Sequence, residues 1–433
     1  MPKARTAKAS LERSLAARFA AVREQTLELC APLSPEDMQV QSMPDASPTK
    51  WHLAHSTWFF EHFVLAQFEK GYARFDESYG YLFNSYYNAV GERVARDQRG
   101  LLTRPTLEEV RGYRAAIDER MEKFLQREQP RAASNLIELG INHEQQHQEL
   151  LLTDIKHALW LNPLRPSCLR ARHGDRRERV GADASHPPDR PLQSSARALT
   201  WRRFDGGLTE IGHDGDGFAF DNESPRHKVF VQGFEIASRL VTNGEYLAFM
   251  EDRGYARPEL WLSDGWDAVR SQGWQAPLYW EKVDGRWQHF TLAGMQPIEL
   301  AAPVCHVSFY EAEAFARWAG ARLPREVEWE LAARDRAIAG NLLEDGRFAP
   351  IAGEGQFHGD VWEWTQSPYV GYPGYETPAG AVGEYNGKFM VNQIVLRGGS
   401  CFTPRSHIRA TYRNFFGPAA RWQMMGMRLA KDT

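Results

Sequence analysis

From about residue 10 to residue 160, apolar side chains recur every three or four positions, the spacing of amphipathic helices. LERSLAARFAAVREQTLELCAPL, beginning at Leu11, predicts a first helix that stops before Pro32. SPEDMQV offers Ser34 as an N-cap and Pro35 as a first helical position, and so predicts a further helical start. WHLAHSTWFFEHFVLAQF, TLEEVRGYRAAIDERMEKFLQ and SNLIELGINHEQQHQELLLTDIKHALW complete the set. Four strong helices with long connections predict a four-helix bundle over 10–164.

The pattern stops at 165–199. RPSCLRARHGDRRERVGADASHPPDRPLQSSARALT is rich in Arg, Pro, Ser and Asp with almost no apolar periodicity, which predicts an interdomain linker. From 200 to 433 the texture is short alternating runs among many Gly and Trp, as in FDGGLTEIG and HKVFVQGFEIA. Two short helices are expected around Tyr246 and Ala314 among small strands and long loops, giving an α+β second domain and no internal repeat.

Composition narrows the function classes. With 433 residues, 42% hydrophobic and 25% charged, the chain can bury two cores. Its 52 basic and 56 acidic residues leave a net charge of −4, so no positive field would gather nucleic acid. No apolar run approaches the eighteen or so residues that span a bilayer, and the charged N-terminus lacks a signal core. Cys30, Cys168, Cys305 and Cys401 lie far apart with no CxxC pair, which argues against a disulfide framework or a thiolate zinc site. A cytoplasmic protein with small-molecule partners is the expectation.

The candidate chemistry lies in NHEQQHQELLL, where His143 and His147 stand four apart on a helix. Fourteen histidines in 433 residues give about 0.45 such pairs by chance, so the surroundings must carry the argument. Residues four apart lie one turn above each other and can share an ion. His52, His55 and His62 in KWHLAHSTWFFEHF give a second helix from which a third ligand could come, completing a facial three-histidine set. Glu144 with His147 makes one Glu-x-x-His match to a dinuclear carboxylate site, but no Glu stands three before His52, His55 or His62.

Two stretches resemble known families. FDGGLTEIG, PVCHVSFYEAEAFARWAGARLPREVEWELAAR, GDVWEWTQSPY and VLRGGSCFTP resemble the formylglycine-generating-enzyme (sulfatase-modifying-factor) domain, of C-type-lectin-like fold. LAHSTWFFE and HEQQHQE resemble a DinB-type bundle. The cysteine pair of formylglycine-generating enzymes falls on Thr403 and Ile408, so the second domain is expected to serve as a scaffold. A bundle joined in this order to this domain resembles the iron(II) sulfoxide synthases of ergothioneine biosynthesis over nearly the whole chain.

That resemblance implies Fe(II) held by His55, His143 and His147, with His52 and His62 left as structural candidates. It implies O2 as co-substrate in a reaction that joins a thiol sulfur to C2 of the hercynine imidazole and oxidises it to the sulfoxide. NSYYNAVG followed by QRGLLTRP resembles the branch that couples free cysteine, and places Tyr86 and Tyr87 as candidate proton donors. Asn414, Phe415, Phe416 and Gln146 match substrate contacts for the trimethylammonium betaine. Arg93 and Arg96 match arginines that bind the sulfur donor, with Arg99 and Arg104 as local competitors. A selenoneine synthase using a selenosugar, an ovothiol-type histidine/cysteine synthase and a non-catalytic lectin-like binding protein stay open as alternatives.

Overall fold

In the computed structural model the described residues are 14–168 and 198–433, apart from 216 and 354. Four helices form the N-terminal bundle: α1 (Leu15–Cys30), α2 (Thr49–Phe60), α3 (Leu107–Leu125) and α4 (Arg131–Leu161). Ser14 caps α1, and Thr106 with Glu109 closes a capping box on α3, satisfying amide donors that a helix start leaves free. After Phe60 the helix widens into one π-turn, Glu61–Leu65, whose buried Glu61 accepts hydroxyl hydrogen bonds from Tyr72 and Tyr113. Gly140 on α4 lies where a Cβ would stand 2.6 Å from the Phe60 ring, so α2 and α4 approach closely there.

The helical start expected at Ser34 does not develop. Ser34 Oγ accepts from the Asp37 amide at 3.1 Å, as a cap does, but the chain makes only a turn. Pro44 and Pro48 each lack an amide donor, and the next helix begins at Thr49 behind Pro48.

The C-terminal half is built from four small sheets. Their largest, in order, runs through Asn414–Phe416, Ile394–Arg397, Trp362–Pro368 and Met425–Gly426, and its last pairing is parallel. Helices Asn243–Glu251 and Phe309–Trp318 stand where the sequence predicts them. Ser263–Gln272 and Glu326–Ala333 are two more that the sequence does not announce. Most of the anticipated linker, 169–197, lies outside the described residues. Before it, the Cys168 amide already bonds the Leu292 carbonyl at 3.0 Å, so the end of the bundle rests on the second half.

The two halves share one core. Tyr279, Phe290, Cys305, Cys401, Phe402 and Met424 join the apolar cluster of the bundle, while a second cluster with Trp362 and Trp364 fills the C-terminal half. Along α4 every residue from Asn142 to Glu149 except Gln146 is buried, although all eight are polar. Each of its faces therefore needs its own polar partners.

Candidate metal centre

Those partners differ face by face. Glu144 points back into the bundle, where its carboxylate meets Arg23 Nη1 at 2.8 Å and Arg114 Nη2 at 2.6 Å and accepts from Thr26 Oγ1 at 2.7 Å. Burial alone would raise its pKa, but the two guanidiniums outweigh it and hold the carboxyl at about 2. Glu144 is thereby committed to cations, and the Glu-x-x-His match to a dinuclear site does not materialise.

Asn142, Gln145 and Glu149 face the C-terminal half. Asn142 Oδ1 bonds His407 at 3.0 Å, Gln145 donates to Ser406 Oγ at 2.7 Å, and Glu149 accepts from Trp362 Nε1 at 2.8 Å. Glu149 also accepts from Ser400 Oγ and from Thr403 Oγ1. Ser400 belongs to the GGS run, and Thr403 stands at one of the two positions where formylglycine-generating enzymes keep a cysteine. Here the hydroxyl docks the helix, and Ile408, at the second position, is buried against Gly399.

His143 and His147 take the remaining face and meet His55 from α2. Each of the three offers one nitrogen, and these atoms lie within 4.8 Å of one another. Among the described residues no carboxylate belongs to the group. His55 Nε2 and His143 Nε2 are 3.2 Å apart. Two donors on adjacent corners of an octahedron, each about 2.1 Å from an ion, stand about 3 Å apart, so the spacing fits a shared metal. All three imidazoles are neutral at pH 7: burial pushes His143 down to about 3 and takes His55 and His147 well below the usual range, with the neighbouring histidines adding to both shifts. His55 Nδ1 donates to the Phe83 carbonyl at 2.6 Å, which leaves its Nε2 lone pair free. A neutral, tightly spaced, buried nitrogen triad fits a non-haem iron centre.

The histidines open onto a cavity of about 520 Å³ between the two halves. Tyr86, Tyr87, Arg96, Gln146, Asn414, Phe415 and Phe416 all line it; Arg93 is exposed outside the wall and bonds Asn88 Oδ1. Tyr87 is buried against Phe63 and Trp58, and Tyr86 sets its ring 5.0 Å from Phe389, edge to face. Phe415 stacks on Tyr369 at 4.0 Å, and Phe416 meets Trp422 at 5.9 Å. Gln146 receives the hydroxyl of Tyr385 and donates to that of Tyr412 at 2.6 Å, so it is anchored between two tyrosines. Its apparent role as a helix surface residue is removed by the second domain. His62 lies apart from the triad, stacked on Trp58 at 5.0 Å.

Tyr385 escapes a reading by spacing, whereas Arg99 stands in that reading as a local competitor for the sulfur donor. Tyr385, from a loop in the C-terminal half, brings its ring to 5.7 Å from His143 and stacks on Tyr87 at 6.4 Å. Arg99 is 3% exposed and lies 3.5 Å over the Trp51 ring, which also stacks on His55 at 4.5 Å. Among the described residues its guanidinium donates to the Ser47 and Ser85 hydroxyls and its Nε has no partner, and burial draws its pKa down to about 9. Trp422 and Gln423 also line the wall, and their Nε1 and Nε2 are buried without partners among the described residues. The one available hint was the three-residue step from Arg96 to Arg99, which a 3-10 turn over Arg96–Leu101 puts on one side.

Comparison with known proteins agrees with this architecture. The Sulfatase-modifying factor enzyme 1-like domain matches residues 195–349 and 346–433, and the DinB superfamily matches 18–151. A hercynine oxygenase of Mycolicibacterium smegmatis is 34% identical over 68% of this chain and 71% of its own. One from Mycolicibacterium thermoresistibile is 33% identical over 67% and 68% respectively. A formylglycine-generating enzyme of Streptomyces coelicolor is 29% identical over 53% of this chain and 88% of its own. No helix among the described residues is long and apolar enough to cross a membrane.

Proposed function

Because the chain belongs to the hercynine oxygenase family, we propose that it is a non-haem iron(II) sulfoxide synthase that couples cysteine to hercynine with O2, the step by which sulfur enters ergothioneine. The observation that carries this reading is the buried, carboxylate-free triad of His55, His143 and His147 opening on a cavity with a basic and an aromatic end. Ferrous iron held there would supply the site for O2 reduction and for the thiolate.

The remaining work falls to the chain's own side chains. Hercynine's trimethylammonium has no hydrogen to donate, so it needs aromatic faces and amide oxygens; Phe415, Phe416, Asn414 and Gln146 provide both. The donor carboxylate needs a cation, and Arg99 is buried with no acidic partner within ion-pair distance among the described residues. Arg96 lies beside it, with its own Nε unpartnered, and donates to the Asp45 backbone carbonyl; the Asp45 side chain at the cavity wall suits an ammonium. This pairing favours an α-amino acid as donor. Tyr86 and Tyr87 would serve as proton donors at the cavity wall, and desolvation together with Glu384 raises the Tyr87 hydroxyl and keeps that phenol neutral.

Fe(II)-loaded protein incubated with hercynine and O2 is expected to give hercynylcysteine sulfoxide with cysteine, and little coupled product with γ-glutamylcysteine or a selenosugar, as read by mass spectrometry. A coupled product from another donor would reassign the donor, and no coupled product from any of the three would sink the proposal. Arg99→Met should raise the KM for cysteine by roughly 10- to 100-fold, the value of a charge-assisted contact of about 1.5–3 kcal/mol, while the KM for hercynine stays unchanged. Equal loss for both substrates would remove Arg99 from the donor site.

A further inference from the structure

Beside the triad, outside any role assigned so far, is a second buried line of polar groups. His52 stands one helical turn before His55 on α2, 3% exposed, and Asp154 lies two turns after His147 on α4, 5% exposed. His52 Nε2 is 3.1 Å from Asp154 Oδ2, and His52 Nδ1 is 2.8 Å from His147 Nδ1. The Ser47 amide donates to the same Asp154 oxygen at 2.8 Å and fixes the carboxylate in place.

These contacts determine where the protons are. A carboxylate oxygen accepts, and Asp154 Oδ2 already accepts from the Ser47 amide, so the hydrogen of this contact goes to His52 Nε2. A ring that donates through Nε2 and accepts through Nδ1 gives the hydrogen between the two Nδ1 atoms, 2.8 Å apart, to His147. His147 is thereby left with a lone pair on Nε2. The Phe83 carbonyl sets His55 in the same sense, whereas His143 Nδ1 has no partner among the described residues.

Building on the iron reading above, we propose that Asp154 and His52 are positioning residues: a carboxylate–imidazole relay that holds His147 as the Nδ1–H tautomer and aims Nε2 at the metal. It fills the place that a direct carboxylate or carbonyl partner takes for other metal-bound histidines, with one ring inserted between. The relay ties α2 to α4 behind the triad, so the two helices that supply the ligands are also fixed relative to each other by it.

Two variants separate a proton-ordering role from simple packing. His52→Asn puts a carbonyl oxygen near the place of Nδ1 and can still accept from His147; His52→Leu fills the space and cannot. Affinity of the full chain for Zn(II), measured by competition with a chromophoric chelator, should fall roughly 10- to 100-fold in His52→Leu and stay within about threefold of wild type in His52→Asn. Histidine 15N NMR of the metal-free wild type should show His147 protonated on Nδ1 and His52 on Nε2. The relay is overturned if His147 is found protonated on Nε2, or if the Asn variant binds as weakly as the Leu variant. Should the wild type bind no divalent ion, the iron reading fails by itself, and the tautomer spectrum still decides the relay.

Discussion

Replacing His143 by alanine will strip the centre of iron and reduce coupled turnover by at least about a thousandfold, a loss of about 4 kcal/mol or more in the barrier. Three neutral nitrogens with no carboxylate form a set with no redundancy: two imidazoles and water compete poorly with chelators for a ferrous ion. His143 is the member whose Nδ1 no partner holds, so its removal disturbs no other hydrogen bond behind the site. The fold should survive, since the neighbouring Glu144 keeps its arginines. His62→Ala is the matched control: that ring packs on Trp58 outside the cavity and should leave iron content at about one per chain. Anaerobic iron analysis together with product mass spectrometry reads both. Full ferrous occupancy in His143→Ala would show that the metal, if any, is held elsewhere.

The largest effect on stability is expected from Glu144→Gln. Arg23 and Arg114 are almost fully buried, and Glu144, with no exposed surface, faces both. Removing the charge leaves one buried guanidinium uncompensated, which costs about 3–5 kcal/mol. For a bundle of this size that lowers the melting temperature by about 10 °C or more. An unchanged melting curve would mean that Asp118, which pairs with Arg23 at 2.6 Å, is sufficient alone.

The same carboxyl gives the protein an acid limit. Its folded pKa of about 2 lies below the ordinary 4.5, so the stabilisation is fully present above pH 4.5 and disappears as pH falls through about 2. The difference corresponds to about 3 kcal/mol, in line with the mutational cost. Denaturation midpoints should therefore decline between pH 4.5 and 2 in the wild type and stay flatter in Glu144→Gln.

Local spacing was enough to find the helices that carry the site. Apolar residues at three- and four-residue steps identify the segments that became α1, α2, α3 and α4, because one apolar stripe per helix is what a bundle core requires. The same step puts His143 and His147 on one face. Ser34 failed as a helix start because its cap geometry forms but Met38 and Val40, two residues apart, share no helical face: Met38 is buried, Val40 is exposed, and Pro44 and Pro48 follow.

Which acid on α4 faces cations and which faces hydroxyls could not be read there. Glu144 and Glu149 are the same residue in the same polar run, and only the packing gave one to Arg23 and Arg114 and the other to Trp362, Ser400 and Thr403. Arg99 and Tyr385 belong to the same class: one is buried by Trp51 and the other is delivered from a loop more than two hundred residues away in the chain. The sequence by itself determined the helical periodicity, the HxxxH pair and the two-part architecture, because those depend on intervals of a few residues. Only the tertiary structure decided the third ligand's approach, the Asp154–His52–His147 line and the cavity wall, because each depends on bringing groups about 90 to 300 residues apart to within a few ångströms, where burial removes water and makes every polar contact selective.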